Sequence, residues 1–272
     1  MITDYHVHLE TGPYTMQWLK QYVEAAQKQG VTDLGFSEHG YRFKQSKEIL
    51  WNSWIEKRQT EDIEDYVNLI LKAKKQGLPV KLGIEMDFIP GKEEEIEEFL
   101  NPYPWDYVIG SVHWLGDWGF DIIERREGWK NKNVMKVYEE YFYIIKQLLD
   151  SQQFDIVGHI DVIKVLGHQP EKKDQDLLEE LYDELIPHIK DSGITVEMST
   201  AGLRKPVQEL YPSRLLMEKL RSHGIPMMIN SDAHRPEDVG RDYDKGIAYL
   251  KQYDIGEIST FENRKRKIVP LG

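Results

Sequence analysis

Short apolar runs alternate with longer amphipathic stretches from one end of the chain to the other. Seven runs read as strands: Ile2–Tyr5, Thr32–Phe36, Val80–Ile84, Asp106–Gly110, Phe154–Val157, Ile194–Met198 and Pro226–Asn230. The stretches Tyr14–Gln29, Thr60–Gln76, Asn133–Asp150, Asp174–Asp191 and Ser213–His223 carry apolar residues at helical spacing. Four of the helix-to-strand handovers contain a glycine, at Gly30, Gly77, Gly193 and Gly224, as a left-handed C-cap requires. Alternation of this kind predicts a parallel sheet. No Gly-rich dinucleotide fingerprint follows the first strand, and the polar residues of interest sit at the C-terminal ends of strands, where barrel active sites form. The pattern therefore predicts an α/β fold, a seven-stranded barrel of βα units rather than an open doubly wound sheet. The segment Tyr41–Gln59 lacks a clear strand. It reads as an inserted helix packed by Trp51 and Trp54, or as a lid-like loop over the site.

With 272 residues, 40% of them hydrophobic, the chain can bury a large core. Neither a Pro/Gly/Ser-rich linker nor an internal repeat divides it, so one domain spanning residues 1–272 is expected. The formal charge of −12 argues against a nucleic-acid binder, which needs clustered Lys and Arg to release counterions. A small anionic substrate stays compatible, because cations and one or two Arg in a pocket outweigh a distant surface field. There is no cysteine, which excludes disulfides, thiolate metal sites and thiol nucleophiles, and leaves nitrogen and oxygen ligands. No signal-peptide pattern opens the sequence and no apolar stretch reaches membrane-spanning length. A cytoplasmic protein without membrane partners is expected.

The chemistry is concentrated after the apolar runs. His6 and His8 stand at i and i+2 on one strand, so both imidazoles point the same way, and neutral imidazole is a common transition-metal ligand. Glu38-His39, Glu85, His113, His159, Glu197 and the Asp232-Ala233-His234 triplet each close a run of their own. An ionised Glu85 inside an apolar run would be costly without a cation. Glu38 alternates to the opposite face from His39 and reads equally well as ligand or structural partner. Asp87 fits a supporting role or a solvated loop, and Asp161 either orients a ligand histidine or caps the next turn. His168, His188 and His223 lie without such partners and read as packing or surface residues. The acidic run Glu93–Glu98 reads as a solvated helix face, and Arg264–Lys267 as surface charge.

The order of these residues, from His-x-His through Glu-His, Glu, His and His to Asp-x-His, resembles the PHP (polymerase and histidinol phosphatase) superfamily, across Asp4 to His234. The segments Gly83–Pro90, Tyr107–His113, Gly158–Asp161, Glu197–Lys205 and Tyr211–Ser213 are similar to its histidinol-phosphatase branch. That resemblance implies a distorted (β/α)7 barrel and two or three divalent transition-metal ions, Zn, Mn or Fe. It implies that His6, His8, Glu85 and Asp232 hold one ion, that Glu85, His113 and His159 hold a second with Glu85 shared, and that His39 and His234 hold a third. Relatives commonly place another His or Asp shortly after His-x-His, where this chain reads Leu9-Glu10-Thr11. Either Glu10 substitutes there or the third site is weak.

The implied reaction is hydrolysis of a small phosphate monoester, with L-histidinol phosphate as substrate and histidine biosynthesis as context. Clustered cations, typically roughly 3.5–4 Å apart, would activate a water. Arg204, whose guanidinium fork matches phosphate, is expected to neutralise the phosphoryl oxygens, with Lys205 or Lys164 as helpers and Arg42 and Arg235 as further candidates. Asp161, an unliganded His39 or a water would protonate the leaving oxygen. Glu197, Asp87 or Trp114 would meet the substrate's imidazole and ammonium. The alternatives are a PHP phosphoesterase for a nucleotide, sugar phosphate or phosphotyrosine, and a non-catalytic metal-binding module. An amidohydrolase would bridge its metals with a strand-end lysine, whereas Glu85 stands in that role here.

Overall fold

The computed structural model describes all 272 residues, Met1–Gly272. Seven strands form one parallel sheet, in chain order: β1 (Thr3–Asp4), β2 (Asp33–His39), β3 (Val80–Asp87), β4 (Tyr107–Ser111), β5 (Ile156–Val157), β6 (Thr195–Ser199) and β7 (Met227–Asn230). Each pairs in parallel with the next. Just beyond β1 and β7, Val7 and Ala233 form a parallel bridge, with His8 N–H donating to the Ala233 carbonyl at 2.8 Å and Ala233 N–H to that of His6 at 3.0 Å. The sheet thus curls into a nearly closed α/β barrel. All seven expected strands are present. β2 and β3 run on to His39 and Asp87, which places His39 and Glu85 within strands and not after them.

Helices α1 (Met16–Lys28), α2 (Ile63–Lys75), α3 (Glu93–Leu100), α4 (Val134–Ser151), α5 (Gln175–Ser192), α6 (Arg214–Ser222) and α7 (Tyr243–Gln252) connect or follow the strands. Side chains cap three of them, Thr15 on Trp18 N–H, Asp62 on Glu64 N–H and Asn133 on Lys136 N–H. The four handover glycines all take positive φ, as expected. α3 carries the acidic run outward and buries Ile96, Phe99 and Leu100. Helix α7 and the C-terminal antiparallel hairpin of β8 (Glu257–Glu262) and β9 (Lys265–Pro270) were not expected from the pattern. The basic stretch Arg264–Lys267 is the turn and exposed edge of that hairpin.

The N-terminal end of the barrel is filled by aromatic packing. Tyr107 stacks on Tyr5 with ring centroids 4.7 Å apart, and its hydroxyl donates to the Tyr5 and Phe36 carbonyls at 2.6 and 3.0 Å. Gly35 and Gly83 make this possible, since a Cβ at either would overlap the Tyr107 phenol. Phe261 of the hairpin closes the plug against Tyr5, Tyr107, Ile109, Ile156 and Met228. Burying such a ring contributes on the order of 1.5–3 kcal/mol. The dense plug leaves polar chemistry to the opposite end.

Tyr41–Gln59 is not the expected helix. It holds 3-10 turns at Gly40–Arg42 and Lys44–Ser46 and otherwise irregular turns. Trp51 is 49% exposed, so only Trp54 packs inward, between the rings of Tyr41 and Trp114 at 5.7 and 5.8 Å. No helix is long and apolar enough to cross a membrane.

Candidate metal centre

The strand ends converge on Glu85. This side chain is buried in β3, and five imidazoles face it: His6 Nε2 and His159 Nε2 at 3.2 Å and His113 Nε2 at 3.5 Å from Oε1, and His39 Nδ1 at 2.7 Å and His8 Nε2 at 3.7 Å from Oε2. None of these approaches satisfies either carboxylate oxygen as a hydrogen bond, and His6 Nε2 and both His8 nitrogens are also without partners. Asp232 Oδ1 lies 3.4 Å from His8 Nε2 and 3.7 Å from His6 Nε2. His113 Nε2 and His159 Nε2 sit 3.3 Å apart. Buried oxygens and nitrogens left unpaired in this density carry a large desolvation cost, and a divalent cation between them removes it. Three ligand groups emerge: His6, His8 and Asp232; His6, Glu85 and His159; and His8, His39 and His234. Glu10 joins the last, with Oε1 3.6 Å from His234 Nε2.

The electrostatics agree with that donor set. Burial pushes the Glu85 carboxyl up, but His6, His39 and His113 outweigh it and hold it well below the usual range. Asp232 is lowered in the same way by His6, His234 and His8 against burial. Conversely, burial pushes His8 down while Asp232 and Glu38 raise it to about 9, and His113 reaches about 10 because Asp87 and Glu85 outweigh its burial. Burial and the neighbouring His8 press His234 down to about 4, leaving it a neutral nitrogen donor. The protons that His8 and His113 bind beside these ionised carboxylates are what a cation would replace.

A ring of outer groups fixes these ligands. Glu197 pairs with His6 Nδ1 at 2.8 Å and Asp87 with His113 Nδ1 at 2.8 Å, while Glu38 approaches His8 Nδ1 at 3.5 Å and accepts from Leu9 N–H. Such pairs set which ring nitrogen is free for a metal. His159 and Asp232 are held at φ +22° and +52°, conformations non-glycine residues adopt where surrounding structure enforces them. Asp4 enforces the second by accepting from Ser231 N–H and Oγ–H and from Gly240 N–H.

The expected phosphate-binding cations do not converge. Arg204 turns to the backbone, donating from Nη2 to the Ser231 carbonyl at 2.6 Å, with Asp238 and Asp242 at 3.9 Å. Lys164 is buried against the Leu210 carbonyl and Asp161. Arg42 is engaged by Glu10 and Glu61, and Arg235 is exposed outside the pocket. Asp161 accepts from Ser213 N–H at 2.7 Å, and Glu197 lies behind His6; neither lines the pocket. A guanidinium fork fits a backbone carbonyl as well as a phosphate, and here Arg204 meets the carbonyl. Of the expected cations only Lys205 borders the pocket, together with His39, Asp232, His234 and Glu10. Its apolar lining is Tyr41, Trp54, Trp114, Ile122, Val162, Val165 and Tyr211. Asp121 also lines it, a residue that no motif or spacing marks out.

Comparison with known proteins accords with this arrangement. The PHP domain family profile matches residues 4–201. A Deinococcus radiodurans protein named "Probable histidinol-phosphatase" is 31% identical over 267 residues, covering 97% of this chain and 98% of its own. The Bacillus subtilis protein named "Histidinol-phosphatase" is 26% identical, covering 89% and 96%. The crystal structure of a Lactococcus lactis histidinol phosphate phosphatase, complexed with Zn, L-histidinol and phosphate, shares the fold with a TM-score of 0.74, 21% identity and 98% of both chains covered. The chain belongs to the PHP domain family, in its histidinol-phosphatase branch of metal-dependent phosphoesterases.

Proposed function

We propose that this centre hydrolyses L-histidinol phosphate to L-histidinol and phosphate, a step of histidine biosynthesis, with two or three divalent cations of the Zn, Mn or Fe type. The observation that carries the proposal is Glu85, a buried carboxylate with both oxygens unpaired and histidines on either side. Bound there, the cations supply Lewis acidity toward the phosphoryl oxygens and lower the pKa of the attacking water. Glu85, His6, His8, Asp232, His113 and His159 would hold them, with His39, His234 and Glu10 available as a third set. Lys205, at the rim, neutralises a phosphoryl oxygen in the role expected of Arg204. The indoles of Trp54 and Trp114 and the Tyr41 phenol offer flat apolar faces to the substrate's imidazole and keep water from the reacting phosphorus. Asp161 accepts from Ser213 N–H and does not line the pocket, so with only two cations bound an unliganded His39, which borders the pocket, would be the protein's candidate proton donor. Glu85→Gln, folded as judged by circular dichroism, should lose bound metal and phosphate release together; retention of both would remove Glu85 from the centre.

A further inference from the structure

One acidic side chain in the pocket belongs to none of the ligand groups. Asp121 lines the pocket, and its buried Oδ1 has no hydrogen-bond partner. It is held firmly. The preceding Phe120 is fully buried, its N–H donates to the His113 carbonyl at 3.3 Å and its carbonyl accepts from Trp129 Nε1 at 3.0 Å. The Phe120 ring packs edge-on against Tyr141 at 5.5 Å. Burial pushes the Asp121 carboxyl up, and His113 and Lys205 only partly offset this. No ion pair joins it to Lys205, which stands exposed at the rim. The aromatic wall beside it carries two further unpaired buried groups, the indole N–H donors of Trp54 and Trp114.

An unpaired carboxylate oxygen in such a place is costly unless something that enters the pocket meets it. Asp121 has a negative charge and acceptor lone pairs to offer, and the cation-holding cluster lies on the pocket floor. A ligand that satisfies both carries a phosphate at one end and a nearby positively charged donor. We propose that Asp121 is a specificity residue that accepts hydrogen bonds from the protonated primary amine of an amino-alkyl phosphate. The inference rests on the phosphoesterase reading above. It fits L-histidinol phosphate, whose amine sits on the carbon next to the phosphorylated methylene. An ester oxygen at the cluster thus brings the ammonium into the same pocket. Neither Glu197 nor Asp87 serves this role, since each is spent on a ligand histidine. A site built to pair a polar group rejects analogues that lack it more strongly than an apolar pocket does.

The test compares kcat/KM for L-histidinol phosphate and for its des-amino counterpart, on wild-type protein and on Asp121→Asn of matched metal content. The wild type should favour the amine, and Asp121→Asn should collapse that preference by roughly ten- to a hundredfold, the scale of a lost charge-assisted hydrogen bond. Asp121→Glu, which keeps the charge, should restore part of it. Equal losses on both esters would mean a role in proton transfer or folding and would overturn the inference, as would an unchanged preference. If wild-type protein leaves L-histidinol phosphate intact, the proposed reaction fails, and calorimetry with L-histidinol and its des-amino analogue still decides about Asp121. Amine-dependent binding that disappears in Asp121→Asn supports the inference; binding of both compounds alike overturns it.

Discussion

Glu197 Oε1 lies 2.8 Å from His6 Nδ1, and its Oε2 accepts from the His159 N–H at 2.6 Å. One buried carboxylate thereby sets the tautomer of a histidine just beyond β1 and the backbone of another after β5, so that both Nε2 atoms face Glu85. Asn230 completes the arrangement by donating to Glu197 Oε1 at 2.7 Å. Glu197→Gln removes the charge but keeps the shape. Metal affinity should fall about 10- to 100-fold, as for other outer partners of ligating histidines, with activity recovered at high metal concentration. A titration giving wild-type affinity would contradict the positioning role.

Arg204 acts on the opposite side, where its guanidinium holds the Ser231 carbonyl next to Asp232. Since it touches backbone and not the pocket, Arg204→Ala should release the strained Asp232 and lower metal content and kcat together. An Arg whose main role was to grip phosphate would instead raise KM at full metal loading. Metal analysis beside steady-state kinetics separates the two.

Lys205 is the one Lys or Arg side chain that lines the pocket, and it is exposed. Lys205→Ala should raise KM for the phosphate ester by roughly tenfold, as for loss of a charge-assisted contact, and weaken product inhibition by inorganic phosphate. Metal content should stay at the wild-type level. An unchanged KM and phosphate inhibition constant would leave the phosphate without a protein cation.

Proton competition gives the centre a pH signature. His8 and His113, raised from 6.5 to about 9 and about 10, stabilise chelator-treated protein fully below pH 6.5 and lose that contribution as pH rises through those values. Metal must displace the same protons, so apparent affinity should climb as pH rises from 6 toward 9, with proton release on binding. Calorimetry in buffers of different ionisation enthalpy reads the protons directly. Thermal melts should show chelated protein weakening between pH 7 and 10 relative to the metal-loaded form. Binding without proton uptake or release would contradict the ligand assignment.

The barrel and the polar cluster at its strand ends were legible because each apolar run closes on a histidine or a carboxylate. His6, His8, Glu85 and His159 each interrupt a buried strand end with a polar group that burial would otherwise forbid. Helix α7 was hidden by Gly246, which weakens helix propensity yet lets the helix press against Met198 and Ile229. The final hairpin turns at Asn263-Arg264, both at positive φ, without the glycine that usually marks such a turn. Its β9 strand is largely exposed and charged. Direction was the least legible property: Arg204, Lys164 and Lys205 are equally suited to phosphate by type, and only tertiary contacts separate them. Asp121 stands in an irregular stretch, where no periodicity can single out an acid.

The central claim is a metal-dependent phosphatase for L-histidinol phosphate. Its most direct test is phosphate release from that ester against a panel of other phosphomonoesters and bisphosphates, on protein of known metal content, with and without added Mn²⁺ or Zn²⁺. A preference of about a hundredfold or more in kcat/KM, roughly 2.7 kcal/mol of transition-state discrimination, is the predicted result. Absence of turnover at full metal loading, or hydrolysis of other esters with L-histidinol phosphate ignored, would contradict it.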